Sequence, residues 1–262
     1  MLRYGVAVSF LMALSAAAQS SVALSASLNN HTQATIYQGV AAYLSASAFL
    51  ESGEEATIEL REGPWFSALA VTVSDSSGRP VEWPFRRIEV PAGPVELKPL
   101  YLAAAAWVLS PQQTAALAPG EYELRITLDT RQRNAPGAWS GVADSDSVLV
   151  TVAPLPASPS EAETLQIVRN TAAYHSLLEE WPAAIAVLES ALERDPDHLV
   201  LMADLATCLL EAGRLEEALA RANEALNRFA LLKPDNVEPP VLLLETRRQI
   251  RARLAEARAP QP

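Results

Sequence analysis

Apolar positions recur at every second residue in short runs through the first half of the chain, and at every third or fourth residue in the second half. The first spacing marks strands with one buried face, the second amphipathic helices. Strands are predicted over residues 40–49, 56–60, 67–74, 87–90, 122–128 and 148–152. The run from Tyr122 is the clearest: Tyr122, Leu124, Ile126 and Leu128 share one face, while Glu123, Arg125 and Thr127 share the other. Residues 102–109 are Ala-rich and fit either period, with Trp107 and Val108 favouring a strand. Ser110-Pro111 then opens one short helical turn. Ser74-Asp75-Ser76-Ser77-Gly78 and Ala118-Pro119-Gly120 read as turns. Pro80, Pro84, Pro91, Pro94 and Pro99 restrict the strands between them to short or edge positions, where a missing N–H does no harm.

The change of period falls at residues 154–159, where three prolines favour an extended, semi-rigid spacer. Ser160-Glu161-Ala162-Glu163 follows as a capping box. Helices are predicted over residues 160–178, 182–194, 199–212, 215–229 and 239–258. Two stretches in this part repeat at a distance of 34 residues: Ala172, Ala184, Ile185, Ala191 and Leu192 are answered by Ala206, Ala218, Leu219, Ala225 and Leu226. A period of that length marks stacked helical hairpins, in which small residues let paired helices touch.

On these residues the second half resembles the tetratricopeptide repeat family. Trp181, Leu188 and Pro196 in the first unit and Gly213 and Leu215 in the second also match its pattern, whereas His175, Glu179 and the late Pro234 depart from it. The resemblance implies two helix pairs, with the fifth helix covering the apolar face of the second pair through Val241, Leu242, Leu243, Leu244, Ile250 and Leu254. About three repeats are usual in a stable array, so the array is expected to pack on the first domain or on another copy. The first half resembles the immunoglobulin-like or fibronectin-III-like sandwich of exported bacterial proteins. The likeness rests on the Leu117–Leu124 segment, a Pro-Gly turn feeding a strand that opens with Tyr122, and on Trp139. The cysteine pair of the antibody-type variant is absent. The expected architecture is therefore multidomain: a signal peptide at residues 1–20, an all-β immunoglobulin-like sandwich at 21–153, a Pro-rich linker at 154–159, an all-α tetratricopeptide domain at 160–258 and a disordered tail at 259–262.

The tetratricopeptide resemblance also implies a binding surface, formed by the first helix of each pair. Helical spacing then sets Gln166, Arg169, Asn170, Ala173, Ser176 and Leu177 beside Val200, Ala203, Thr207 and Leu210. Arg169 and Asn170 match part of the clamp by which some family members hold a peptide carboxylate. The apolar residues of the second unit leave that clamp incomplete, and an apolar groove for an extended or helical segment fits better.

Charge and composition narrow the partner. The net charge of −11 is spread over both halves, which disfavours nucleic acid and anionic membrane. Five arginines in the last helix, Arg247, Arg248, Arg251, Arg253 and Arg258, read as a solvated face. Arg3, the run from Gly5 to Leu14 and Ala16-Ala17-Ala18 read as an export signal too short to span about 30 Å of hydrocarbon. A periplasmic or extracellular protein without a transmembrane anchor is thus expected. Cys208 is a lone cysteine in a helix and reads as a buried apolar residue.

Catalytic chemistry finds no foothold. His31, His175 and His198 lie far apart, with His175 expected in the repeat core and His198 on the surface after a Pro turn. Asp144-Ser145-Asp146 offers too few oxygens for calcium. No catalytic, cofactor-binding or metal-binding residue is assigned, and no cofactor is expected. The chain reads as an exported, non-enzymatic adaptor or scaffold for a protein or peptide partner, with a second copy as a further possibility. Three other readings stay open. In one the sandwich grips a glycan or surface protein and the repeats serve as a spacer or oligomerisation unit; in another the chain is a subunit or accessory factor of a secreted hydrolase; in the third the array only docks on its own sandwich.

Overall fold

The computed structural model describes residues 20–89, 93–232 and 240–258. The expected export signal, Val90, Pro234, Pro239 and the tail at 259–262 lie outside the described residues.

The N-terminal part is β-rich. Its strands are β1 (Ser21–Leu28), β2 (Gln33–Tyr37), β3 (Ala42–Ser52), β4 (Ala56–Ile58), β5 (Leu69–Asp75), β6 (Arg86–Arg87), β7 (Val95–Leu97), β8 (Leu102–Leu109), β9 (Gly120–Asp129), β10 (Val142–Asp144) and β11 (Val148–Ala153). One sheet runs β1-β3-β8-β6. A second runs β10-β9-β11-β2 with β5 also on β9, and β4 pairs with β7 apart from both. β2 lies parallel to β11, while the other pairings are antiparallel. The two larger sheets are open, and both contribute to a single apolar core. Alternation along β9 places Leu124, Ile126 and Leu128 in it with no exposed surface. Across the other sheet, Leu28, Leu44 and Trp107 form one buried row. Ala46 faces Ala105 and Ala48 faces Ala103 in the next rows, so the core narrows along the strands. Near the start of β9, Tyr122 donates its hydroxyl to the carbonyl of Ala118 at 2.8 Å.

Several strands differ from their predicted bounds. β1 and β2 were not anticipated, although Val22, Leu24 and Leu28 alternate on the buried face of β1 and Ala34 and Ile36 on that of β2. β7 and β10, three residues each, are too short to carry a period. The strand expected from residue 67 begins at Leu69, after a 3-10 turn at Trp65–Ala68 that Pro64 opens. Where a strand was expected over residues 87–90, β6 spans Arg86–Arg87, and the Ile88 N–H still donates to the Ala106 carbonyl at 2.9 Å. The Ala-rich run at 102–109 is a strand, and Ser110 opens the short helix α1 (Pro111–Ala115) through a full capping box with Gln113.

The C-terminal part is helical: α2 (Glu161–Leu177), α3 (Trp181–Arg194), α4 (Leu199–Glu211), α5 (Leu215–Leu232) and α6 (Val241–Arg258). Ser160 opens α2, its hydroxyl accepting from the Glu163 amide at 3.3 Å while the Glu163 carboxylate accepts the Ser160 N–H at 2.7 Å. Ala184, Ala206, Ala218, Ala222 and Ala225 have no exposed surface, the sign of helices in close approach around Leu188 and Leu205. The turn between α4 and α5 uses Gly213 at φ 76°. Its counterpart between α2 and α3 has Glu179 at φ 58°, a conformation that costs a residue with a Cβ about 1–2 kcal/mol. α6 packs on α4 and α5 through Leu243, Thr246, Ile250 and Leu254.

His175 sits differently than expected, whereas His198 follows the Pro turn, partly exposed. His175 is half-buried rather than in the core, because its Nδ1 turns out to Glu180 at 2.7 Å. His198 is the N-cap of α4, its side chain accepting from the Leu201 amide. The two parts meet along α2, which packs against β3 and β8, and the Tyr37 hydroxyl donates to Glu163 at 2.8 Å.

Leu188 is fully buried where the helices converge. Leu188→Ala is expected to destabilise the protein by about 2–5 kcal/mol, read as a lower denaturant midpoint.

Candidate partner-binding groove

A cavity of about 710 Å³ opens between the β-rich part, α2, α4 and the first turn of α6. α2 contributes Ala162, Leu165, Gln166, Arg169, Asn170, Ala172, Ala173 and Ser176; α4 contributes Asp204 and Thr207; Leu242 stands at the edge. The remaining wall is Asn29, Asn30 and His31, with Tyr43 from β3.

Of the residues expected on the binding surface, Gln166, Arg169, Asn170, Ala173, Ser176 and Thr207 line this cavity. Leu177, Val200, Ala203 and Leu210 do not. Leu210 is only 1% exposed, because α6 closes over the end of α4 and Arg253 donates to the Leu210 carbonyl. Ala203 packs against the helical core, Val200 is exposed away from the cavity, and Leu177 is half-buried at the last residue of α2. On α4 Asp204 joins Thr207 in facing the groove, one position beyond Ala203, and one residue turns a helix by about 100°.

The wall from the β-rich part went unforeseen. Asn29 and Asn30 are both left-handed, at φ 50° and 65°, and Leu28 and His31 exchange two backbone hydrogen bonds of 2.9 Å across them. This is the two-residue hairpin turn that Asn favours, so the Asn-Asn pair was the available signal. Asn29 is 4% exposed. Its backbone N–H donates to the Tyr43 carbonyl at 2.8 Å, and its side-chain oxygen accepts the Tyr43 N–H at 3.0 Å. Its Nδ2 has no acceptor among the described residues. A buried donor left so costs about 1–3 kcal/mol.

Electrostatically the groove is balanced. Arg169 Nε donates to Asp204 Oδ2 at 2.8 Å, which occupies the one arginine that a carboxylate clamp would need. Burial raises the Tyr43 hydroxyl above its ordinary pKa of 10.0, with Arg169 pulling the other way. Beneath the floor, the Sγ of buried Cys208 lies 3.4 Å from Ser176 Oγ, and burial raises its thiol above the ordinary value of 9.0.

Away from the groove, a cleft of about 650 Å³ runs beside β5, lined by Trp83, Phe85, Arg87 and Trp107 among others. The Arg87 guanidinium lies 5.7 Å from both the Phe66 and Trp107 ring centres. Among the described residues no three His, Cys, Asp or Glu side chains gather as metal ligands would, and no helix is long and apolar enough to cross a membrane. Asp144 is engaged by Thr127, and Ser145 donates to the Asp146 carbonyl.

A tetratricopeptide repeat family model matches residues 177–231, from the end of α2 into the last turn of α5. Such repeats generally mediate contacts between proteins, which agrees with an adaptor role and a protein partner. No curated protein matches the chain in sequence. Among solved structures, the chain is similar to a β-glucosidase from Erythrobacter marinus, at 12% identity over 51% of this chain and 16% of that one, with a TM-score of 0.26. It is also similar to a family 123 glycoside hydrolase from Clostridium perfringens, at 11% identity over 54% of this chain and 29% of that one, with a TM-score of 0.27. The chain thus spans less than a third of either, and likeness at these scores bears on neither fold nor activity.

Two outcomes follow. Cys208 in the folded protein at pH 8 is expected to react with a thiol reagent far more slowly than in denaturant, read by absorbance. Hydrogen bonds from the Ser160 backbone, the Ser160 hydroxyl and the Tyr37 hydroxyl hold the Glu163 carboxyl below its ordinary 4.5. Its stabilising effect is therefore complete above the ordinary value and lost as the pH falls through the lowered one. The Tm gap between the wild type and Glu163→Gln should accordingly close on acidification from pH 7 to pH 3.

Proposed function

We propose that the protein is an exported, non-enzymatic adaptor whose tetratricopeptide array holds a protein or peptide partner against an immunoglobulin-like β domain. One observation carries this reading: residues from α2, α4 and the β1–β2 turn converge on one groove, beside a segment matched by a repeat family of protein-binding type. The immunoglobulin-like assignment draws support from the parallel pairing of β2 with β11 across a shared core. The Tyr122 hydroxyl bonded to a carbonyl four residues upstream adds to it, since that contact resembles the tyrosine corner of such domains. Export is supported by Arg3, the apolar run after it and the small residues at Ala16-Ala17-Ala18. The neutralised Arg169 speaks for an internal stretch of a partner over a terminal carboxylate.

The aromatic cleft beside β5 favours a second reading, in which the β domain grips a glycan or surface protein and the array acts as a spacer.

A photo-activatable phenylalanine placed at Ala173, in the groove, separates the two. In the native host it is expected to trap a small, discrete set of proteins, while the same group at exposed Glu193 on α3 traps none of them. Adducts from neither position would overturn the adaptor reading. Adducts from a probe at Trp83 alone would favour the second.

A further inference from the structure

We infer that the cleft beside β5 is a separate binding site for an acidic polysaccharide, in which Arg87 takes the carboxylate of a uronate unit while Trp83 and Phe85 pack against its ring. The inference rests on the second reading above, in which the β domain grips a glycan, and is independent of the groove along α2. It names the class of glycan and the groups that would hold it.

Arg87 carries the charge argument. Its guanidinium lies 5.7 Å from the Phe66 and Trp107 ring centres, and its Nη2 donates to the Leu69 carbonyl at 3.1 Å. Arg125 and Arg131, also in the β-rich part, are each paired with a carboxylate at 2.7 Å. Arg87 has no such partner among the described residues, and burial lowers its pKa with no opposite charge to restore it. Glu82, the one acidic residue on the cleft lining, is exposed and forms no ion pair with it. A charge withdrawn from water is ordinarily paired, and a guanidinium with one of its five donors spent keeps a fork for a planar carboxylate.

The edge of β5 decides between a sugar and a peptide. Val71 stands opposite Ile126 of β9, and Ile126 exchanges hydrogen bonds with Ser145 on its other side, at 3.0 Å to the hydroxyl and 2.9 Å from the Ser145 N–H. Val71 therefore occupies a non-hydrogen-bonded position of the ladder, and its own N–H and C=O point away from β9, on the side where the cleft runs. On either side of it the edge is already taken. The Leu69 carbonyl accepts from Arg87, and the Val73 carbonyl accepts the Val81 N–H at 2.9 Å. One free residue between two occupied ones is too short a template for an added strand, whose affinity comes from a run of main-chain bonds. A hydroxyl can meet either group, since it both donates and accepts.

The remaining walls suit a ring. Trp83 and Phe85 are part-exposed on the cleft, with ring centres 5.8 Å apart, and the volume of about 650 Å³ is ordinary for a ligand site. A uronate combines the three features that the cleft asks for: an apolar ring face, hydroxyls and one carboxylate.

The test uses the full chain and trimers of galacturonate, glucuronate and mannuronate, titrated by calorimetry. At least one trimer is expected to bind, and its methyl ester, which keeps ring and hydroxyls but loses the charge, about tenfold more weakly. Arg87→Gln is expected to raise the Kd of the acid about tenfold, while Glu193→Gln on α3 leaves it unchanged. Thermal melting reports whether each variant folds; should Arg87→Gln fail to, the comparison of acid with ester on the wild type decides alone. Binding of none of the three trimers, equal binding of acid and ester, equal binding by a folded Arg87→Gln variant, or tighter binding of an acetylated, amidated Val-Glu-Val peptide than of any trimer would each overturn the inference. Adducts from the probe at Trp83 alongside such a result would leave the cleft as a site for a surface protein; their absence would remove the second reading as well. Trapping from Ala173 reports on the adaptor reading separately.

Discussion

A helix that opens a repeat array has one side that no earlier repeat covers, and here β3 and β8 cover it for α2. The rest of the arrangement follows from that contact. α2 can serve as a wall of the groove only because it is held from behind by α3 and alongside by the β-rich part. The Tyr37–Glu163 bond fixes the start of α2, and the Asn29–Tyr43 hydrogen bonds fix the turn that faces it. With two helix pairs and one closing helix, the array falls below the length at which such stacks usually stand alone. The β-rich part thus does for the first helix what α6 does for α4 and α5.

The distribution of apolar surface explains why the helical part was readable from the residues. Alanines at fixed places in two copies report helix–helix contact directly, and the capping box at Ser160 marks where the first helix begins. The β-rich part was readable where bulky residues alternate over a long run, as in β9, and obscure where a strand is too short to carry a period, as in β7 and β10. Such strands gain burial only after pairing, so their own residues carry little of the signal.

The groove divides along the same line. Its α2 wall follows from helical spacing, since every position wanted there lies within one continuous helix. On α4 Thr207 reaches the groove as expected, but Asp204 stands there in place of its neighbour Ala203, about 100° round the helix, and the closing helix hides Leu210. Asn29, Asn30, His31 and Tyr43 share no spacing with the helices. They reach the groove only through docking of one part of the chain on the other, and a linear pattern holds no record of that.

Sharing one groove between two structural units has a thermodynamic consequence. A segment bound there touches the β-turn and α2 at once, so its binding and the docking of the two units become linked equilibria with a common coupling free energy. At saturation with a partner the docked arrangement gains RT ln(1 + [L]/Kd), about 2.7 kcal/mol at a hundredfold excess over Kd. Reciprocally, a force or solvent change that parts the units would release the partner without touching any residue that contacts it.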